Sequence, residues 1–294
     1  MRRRCLLAFA LFAVPVAAAH AQSSASTGGP DLRSPTQGDE VPYIQTPQAV
    51  VDKMLDLAEV GPDDFLIDLG SGDGRIVITA AQERGARGFG IDLDTGLVET
   101  SNAAARRAGV AERARFFARD LFDTDLREAT VLTMYLLPAV NLQLRPRLLA
   151  QLKPGTRVVS HDWDMGEWRP DAKAVLEGLT KPVMPIQAST VYLWIVPAGV
   201  AGSWSLRIER ADAREAIELE FTQRFQEISG IARRARGRTL LQSTHLRGSE
   251  IRFAVIDETR RPSELLQFFG RVYGDTMEGT TGAGRRWRAQ RKVE

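Results

Sequence analysis

Asp68-Leu69-Gly70-Ser71-Gly72-Asp73-Gly74-Arg75 is the stretch that decides the fold of this chain. It completes a short apolar run, Phe65 to Leu69, and leads into Ile76-Val77-Ile78 and a helical pattern that Gly85 ends after Arg84. A glycine turn between a strand and a helix lets the backbone reverse sharply and come close to a ligand, at the end of the sheet where doubly wound folds bind cofactors. The flanking sequence repeats this strand and helix grammar. Thr46-Pro47 reads as an N-cap with a first-turn proline, followed by Val50, Val51, Met54, Leu55 and Ala58 at helical spacing until Gly61-Pro62. Strands are predicted over 88–91, 114–118, 131–135 and 157–160, with helices over 97–108 and 138–149, and Val183 to Val196 is expected to supply a closing hairpin. Strands alternating with helices of this length argue for an α/β fold: a doubly wound, mostly parallel seven-stranded sheet covered on both faces, over residues 40–198.

After Pro197 the pattern changes to short alternating runs separated by glycine: Glu218 to Phe221, Gln223 to Gln226, Leu240 to Leu246, Ile251 to Ile256, Leu265 to Val272 and Trp287 to Arg291. This predicts a small antiparallel β domain over 199–294, a barrel or a sandwich. Gly202-Ser203-Trp204 at its start and Trp287-Arg288 near its end are similar to the tryptophan-arginine closure of lipocalin-like barrels. Residues 22–199 carry an excess of acidic side chains and residues 200–294 an excess of basic ones.

The whole chain is nearly balanced, with 39 Lys and Arg against 37 Asp and Glu, too even for a dedicated nucleic-acid binder, and no nucleic-acid partner is expected. Arg2-Arg3-Arg4, the apolar run Cys5 to Ala18 and Ala19-His20-Ala21 have the three parts of a signal peptide over 1–21, which predicts cleavage after Ala21 and export to a bacterial periplasm or cell envelope. The run is broken by Pro15 and is too short for a stable membrane anchor. Residues 22–39, rich in Ser, Thr, Gly and Pro, read as a flexible linker. The one cysteine and three histidines exclude an internal disulfide and argue against a metal site.

The acids around the glycine loop point to its ligand. A dinucleotide loop reads G-x-G-x-x-G and holds a pyrophosphate, whereas Gly70, Gly72 and Gly74 read G-x-G-x-G, with Asp68 before the loop and Asp73 inside it. Carboxylates there repel phosphate and attract an ammonium and a sulfonium, which favours S-adenosylmethionine over NAD. Asp92, ending the second strand, is placed to accept both ribose hydroxyls, with Leu93 against the adenine face. Asp120, after the third strand, is placed to accept the adenine amino group, with Leu121 or Phe122 over the ring. Ser71 completes the candidate cofactor cradle, and Tyr43 is a candidate lid.

Over residues 40 to 198 the chain resembles the class I S-adenosylmethionine-dependent methyltransferases. More narrowly, Pro42-Tyr43-Ile44-Gln45-Thr46-Pro47, the Asp68 to Arg75 loop and Leu152-Lys153-Pro154-Gly155-Thr156-Arg157 are similar to the family of lysine methyltransferases acting on ATP synthase subunit c and the adenine nucleotide translocase. The resemblance implies Nε-methylation of lysine in a protein or peptide. Tyr135, in Tyr135-Leu136-Leu137-Pro138, stands on the acceptor side, and His161 and Asp162, just past the fifth strand, can face the same pocket. An Asn/Asp-Pro-Pro-Tyr quartet typical of base-amine methylation is absent. The export signal and the added β domain depart from the family pattern. They keep two alternatives open: an exported binding protein that retains the fold without turnover, and a methyltransferase acting on a small molecule.

Overall fold

The computed structural model describes residues 44–178, 188–209, 216–234, 237–257 and 263–292. The signal segment, the linker, Tyr43 and the start of the expected closing hairpin lie outside them. The first half runs α1 (Gln48–Leu57), β1 (Phe65–Leu69), α2 (Arg75–Glu83), β2 (Arg87–Asp92), α3 (Thr95–Arg107), β3 (Ala114–Ala118), β4 (Val131–Met134), α4 (Pro138–Gln151), β5 (Arg157–His161), β6 (Ala172–Glu177) and β7 (Ala188–Ile195). These strands form one seven-stranded sheet in the order β3-β2-β1-β4-β5-β7-β6. Neighbours among β1 to β5 pair in parallel, and β7 runs antiparallel to both β5 and β6. The doubly wound, mostly parallel architecture is therefore present.

Central strands with helices on both faces are nearly continuous apolar runs. Leu66, Ile67 and Leu69 of β1 and Val131, Leu132 and Met134 of β4 are fully buried accordingly. Asp94 caps α3, its side chain accepting from the Gly96 and Leu97 amides. Thr46 does not cap α1: Pro47 occupies the cap position without a side-chain bond, and the Thr46 hydroxyl is used elsewhere. The closing hairpin also begins earlier than expected, at Ala172. Its first strand, Ala-Lys-Ala-Val-Leu-Glu, alternates half-buried and exposed residues. That composition favours helix, and pairing with β7 at the sheet edge overrides it.

The second half forms β8 (Gly202–Ile208), β9 (Ala216–Arg224), β10 (Glu227–Arg234), β11 (Gly237–Leu240), β12 (Gln242–Arg247), β13 (Glu250–Asp257), β14 (Glu264–Tyr273), β15 (Thr276–Thr281) and β16 (Arg286–Arg291). They make a nine-stranded sheet in the order β11-β10-β9-β8-β16-β15-β14-β13-β12, antiparallel throughout. Its far ends curl together. The Leu241 amide donates to the Gly230 carbonyl at 2.9 Å and the Thr244 hydroxyl to the Ile228 carbonyl at 2.7 Å, so the sheet is nearly a closed barrel. Aromatic rings fill it: Phe253 stacks on Phe268 at 4.8 Å, and Trp287 meets both edge-on at 5.8 Å.

Four features of this half differ from the sequence expectation. Glu218–Phe221 and Gln223–Gln226 are one strand, β9, and a turn at Phe225 and Gln226, because Thr222 continues the alternation. Leu240 to Leu246 is interrupted at Leu241. β15 gave little signal because Gly279 faces Gly270 across the ladder, and a Cβ on Gly270 would run into the Trp287 indole. The tryptophan-arginine closure pairs Trp204 with Arg291 rather than Arg288. The Arg291 guanidinium lies 4.3 Å above the Trp204 ring, donates to the carbonyls of Ala201 and, at 2.6 Å, Gly199, and pairs with Asp275 at 2.8 Å. It clamps the segment joining the two sheets to the last strand of the barrel.

Candidate active site

The connections after β1 and β4 leave these adjacent strands on opposite sides, so a crevice opens at their carboxyl ends. The Asp68–Arg75 loop lines it. Gly70 and Gly74 have φ of +74° and +79°, and a Cβ would meet Leu136 at 2.9 Å from Gly70 and Phe116 at 2.6 Å from Gly74. Only glycine fits both positions. The Gly70 and Ser71 amides donate to the Ile91 carbonyl at 2.9 and 2.8 Å, and the Ser101 hydroxyl donates to the Gly72 carbonyl at 2.7 Å. The loop is thus held in shape by the protein's own hydrogen bonds.

Asp92 belongs to the same construction. Its Oδ2 accepts the Gly72 amide at 2.9 Å and its Oδ1 accepts the Asp94 amide at 3.1 Å, while each oxygen retains a lone-pair site for a hydroxyl. Leu93 beside it is 72% exposed, an apolar side chain presented to the crevice end of the sheet. Asp120 is exposed, its Oδ1 accepting the Phe122 amide at 2.7 Å. Leu121 is half-buried, and its carbonyl accepts Arg147 at 2.8 Å.

The two loop acids have different environments. Asp73 is gripped by Arg75 through Nε at 2.9 Å and Nη2 at 2.5 Å, so its charge is shared with a guanidinium. Asp68 is buried: Oδ1 accepts the Thr133 hydroxyl at 2.7 Å, and Oδ2 has no hydrogen-bond partner among the described residues. Burial, reinforced by the nearby carboxylates of Asp92 and Asp73, pushes its carboxyl up to about 7 against the pull of Thr133. The buried Ser71 hydroxyl is likewise without a partner among the described residues. A buried carboxylate and hydroxyl with open valence beside the glycine loop fit the ammonium end of S-adenosylmethionine, and exposed Leu93 fits the face of its adenine ring. The residues before α1 cross this loop. Gln45 donates to Asp73 at 3.3 Å and Arg75 donates to the Thr46 carbonyl at 2.8 Å. Tyr43 lies outside the described residues.

Tyr135, His161 and Asp162 come together at the ends of β4 and β5. The Tyr135 ring lies 3.9 Å from the His161 ring, and its hydroxyl donates to Asp162 Oδ2 at 3.4 Å. Burial and the Asp162 carboxylate push the phenol up to about 12, so it remains a donor at neutral pH. Asp162 has φ of +62°, and its Oδ1 accepts the Thr190 amide at 2.9 Å, which fixes the carboxylate toward Tyr135. His161 is fully buried, with Nδ1 3.2 Å from the Thr46 hydroxyl, and Nε2 3.0 Å from the Ser189 hydroxyl and 3.4 Å from Asp162. It stands behind Asp162 as a hub joining the segment before α1 to β5 and β7. Thr46, Arg75, Ser189 and Thr190 were not singled out as site residues. Each is a common surface or capping type, and only the fold brings them together. Among the described residues no group of acids, histidines or cysteines is arranged to hold a metal, and no helix is long and apolar enough to cross a membrane.

Residues 68–172 match the family model of the ANTKMT methyltransferase domain. The chain is 40% identical over 161 residues to a protein-lysine N-methyltransferase of Saccharolobus islandicus, a match covering 53% of this chain and 94% of that protein. It is 35% identical over 133 residues to the adenine nucleotide translocase lysine N-methyltransferase of Mus musculus, covering 45% of this chain and 58% of that enzyme. Among solved structures, an RNA methyltransferase from Salinibacter ruber in complex with S-adenosyl-L-homocysteine shares 50% identity, with coverage of 57% of this chain and 99% of that one and a TM-score of 0.49. Agreement with the archaeal enzyme over nearly its whole length places the chain in that family, and it belongs to the class I S-adenosylmethionine-dependent methyltransferases.

Proposed function

We propose that this enzyme methylates a lysine Nε of a protein and that Tyr135, Asp162 and His161 form its acceptor side. The observation that carries the reading is the Tyr135–Asp162 pair at the carboxyl end of β4 and β5, next to the glycine loop, in a chain whose archaeal relative is a protein-lysine N-methyltransferase. When bound, S-adenosylmethionine supplies a methyl carbon already activated by its sulfonium. Asp92 would accept the ribose hydroxyls, Leu93 would cover the adenine, Asp120 would receive the adenine amino group and Asp68 would hold the ammonium. Catalysis then consists largely of alignment and exclusion of water. A lysine ammonium, with pKa about 10.4, has no lone pair until it loses a proton. Asp162 Oδ2 attracts the ammonium and accepts that proton as general base, leaving the amine its lone pair, while the Tyr135 hydroxyl and the ring of His161 hold the carboxylate in place. The signal-like segment Met1 to Ala21 supports export as the setting for this chemistry.

The test is labelled S-adenosylmethionine incubated with the enzyme and a cell-envelope extract. Label is expected in protein lysine. Label in RNA or in small molecules alone would overturn the acceptor class, and no label with the donor still bound would favour a non-catalytic binding protein. Tyr135→Phe keeps the ring on His161 and removes the hydroxyl, so kcat is expected to fall about tenfold with donor affinity unchanged.

Donor affinity should also follow pH. Below about 7 the Asp68 carboxyl is neutral and offers no charge to an ammonium, so binding should tighten as pH rises toward that value. Above roughly 8, where a free α-amino group loses its proton, binding should weaken again. Calorimetry between pH 6 and 9 reads the profile, and Asp68→Asn is expected to abolish its lower limb.

A further inference from the structure

The loop that begins with Asp162 is gripped from two sides. From α4, Asn141 donates to the Trp163 carbonyl at 3.2 Å and Arg145 to the Met165 carbonyl at 2.7 Å. From the barrel, the turn between β9 and β10 presses on the same loop. Phe225 stacks on the buried Trp168 ring at 6.0 Å, with the Arg145 guanidinium 5.4 Å from the Phe225 centroid. Gln226 donates to the Arg169 carbonyl at 2.6 Å, and Arg224 pairs with Glu167 at 2.8 Å. Trp168 is in turn tied to β7, since the Trp194 indole donates to its carbonyl at 2.7 Å. Phe225 holds a φ of +55°, a conformation costly for an aromatic residue that the surrounding contacts must sustain. A tip residue in such a conformation, aimed into the other sheet's core, is placed there by the hairpin and not by local preference.

We propose that the β9–β10 hairpin is a brace that sets the position of the acceptor-side loop, with Phe225 as its positioning residue. The second sheet thereby acts on methyl transfer without touching donor or acceptor. The inference rests on the acceptor side being where Asp162 stands. Holding a reacting group within a fraction of an ångström is worth large factors in rate, and displacement of about 1 Å can cost roughly a hundredfold.

The test compares Phe225→Ala and Phe225→Tyr in the full chain. In Phe225→Ala, the amides of residues 163–169 are expected to exchange with deuterium at least about tenfold faster, while those of the glycine loop and affinity for S-adenosylhomocysteine stay unchanged. On the labelled envelope protein, kcat/KM should fall about tenfold or more. Phe225→Tyr keeps the stacked ring and should restore both readouts. Unchanged exchange over 163–169 in folded Phe225→Ala would overturn the brace, as would faster exchange spread evenly over the whole chain or a failure of Phe225→Tyr to restore. If exchange rises locally but kcat/KM does not, the loop moves without consequence and the positioning role is lost. The reading of the acceptor side fails separately, through full turnover in Asp162→Asn.

Discussion

Asp92→Ala is expected to weaken binding of S-adenosylmethionine by a factor between about a hundred and ten thousand. Two hydroxyls bonded to one ionised carboxylate contribute about 1.5–3 kcal/mol each, and both are lost together. The substitution also frees the Gly72 amide, 2.9 Å from Asp92 Oδ2, so the glycine loop loses one of the three hydrogen bonds that couple it to β2. The remaining loop bonds, from Gly70 and Ser71 to Ile91 and from Ser101 to Gly72, keep the fold. Calorimetry with an unchanged circular dichroism spectrum checks the result. Asp92→Asn retains one acceptor oxygen and should fall between wild type and alanine. Equal affinity in wild type and Asp92→Ala would remove Asp92 from the ribose.

Asp162→Asn is expected to lower kcat by about a hundredfold to ten-thousandfold, the range typical of a positioned acid or base, with donor affinity retained. The substitution suits the site. Asparagine tolerates the positive φ of +62° found there, and its side-chain oxygen can still accept the Thr190 amide. What disappears is the negative charge beside the Tyr135 hydroxyl. The Tyr135 phenol, raised partly by that charge, should ionise at a lower pH in the variant, and a spectroscopic titration of Tyr135 reports that change. Turnover at the wild-type rate would place the acceptor's proton elsewhere.

Much of the first sheet was legible because its signals are local. β1 and β3 fall on the residues that apolar runs mark, and α2 starts at the residue after the last loop glycine, since a strand buried on both faces and a glycine turn each leave compact traces. β6 left no such trace, because an edge strand with one wet face needs only a partner to pair with. The β domain was legible in kind but not in register. Phe225 reads as one more alternating residue, yet it is the first residue of the two-residue turn between Arg224 and Glu227, which sets its positive φ. In the site, the residues beside strand ends could be named in advance, but their couplings could not. That Thr46 bonds His161 and that Asp68 gives one oxygen to Thr133 and keeps the other open are outcomes of packing between elements distant in sequence.

The clamp at Arg291 bears on the order in which the chain can fold. Its bonds to the Ala201 and Gly199 carbonyls close loops of 90 and 92 residues, and β8 finds its second neighbour, β16, only when that strand exists. Contacts so distant in sequence form late, after their loop entropy has been offset by nearer pairings. The sheet that carries the site needs no strand beyond Ile195, so it can assemble while the barrel is still open. Until Arg291 settles over Trp204, β8 keeps one edge of unpaired amides and carbonyls, the kind of edge on which chains pair wrongly. Refolding should therefore show a slow phase reported by Trp204 fluorescence, and the yield of native protein should depend on chain concentration during that phase and not before it.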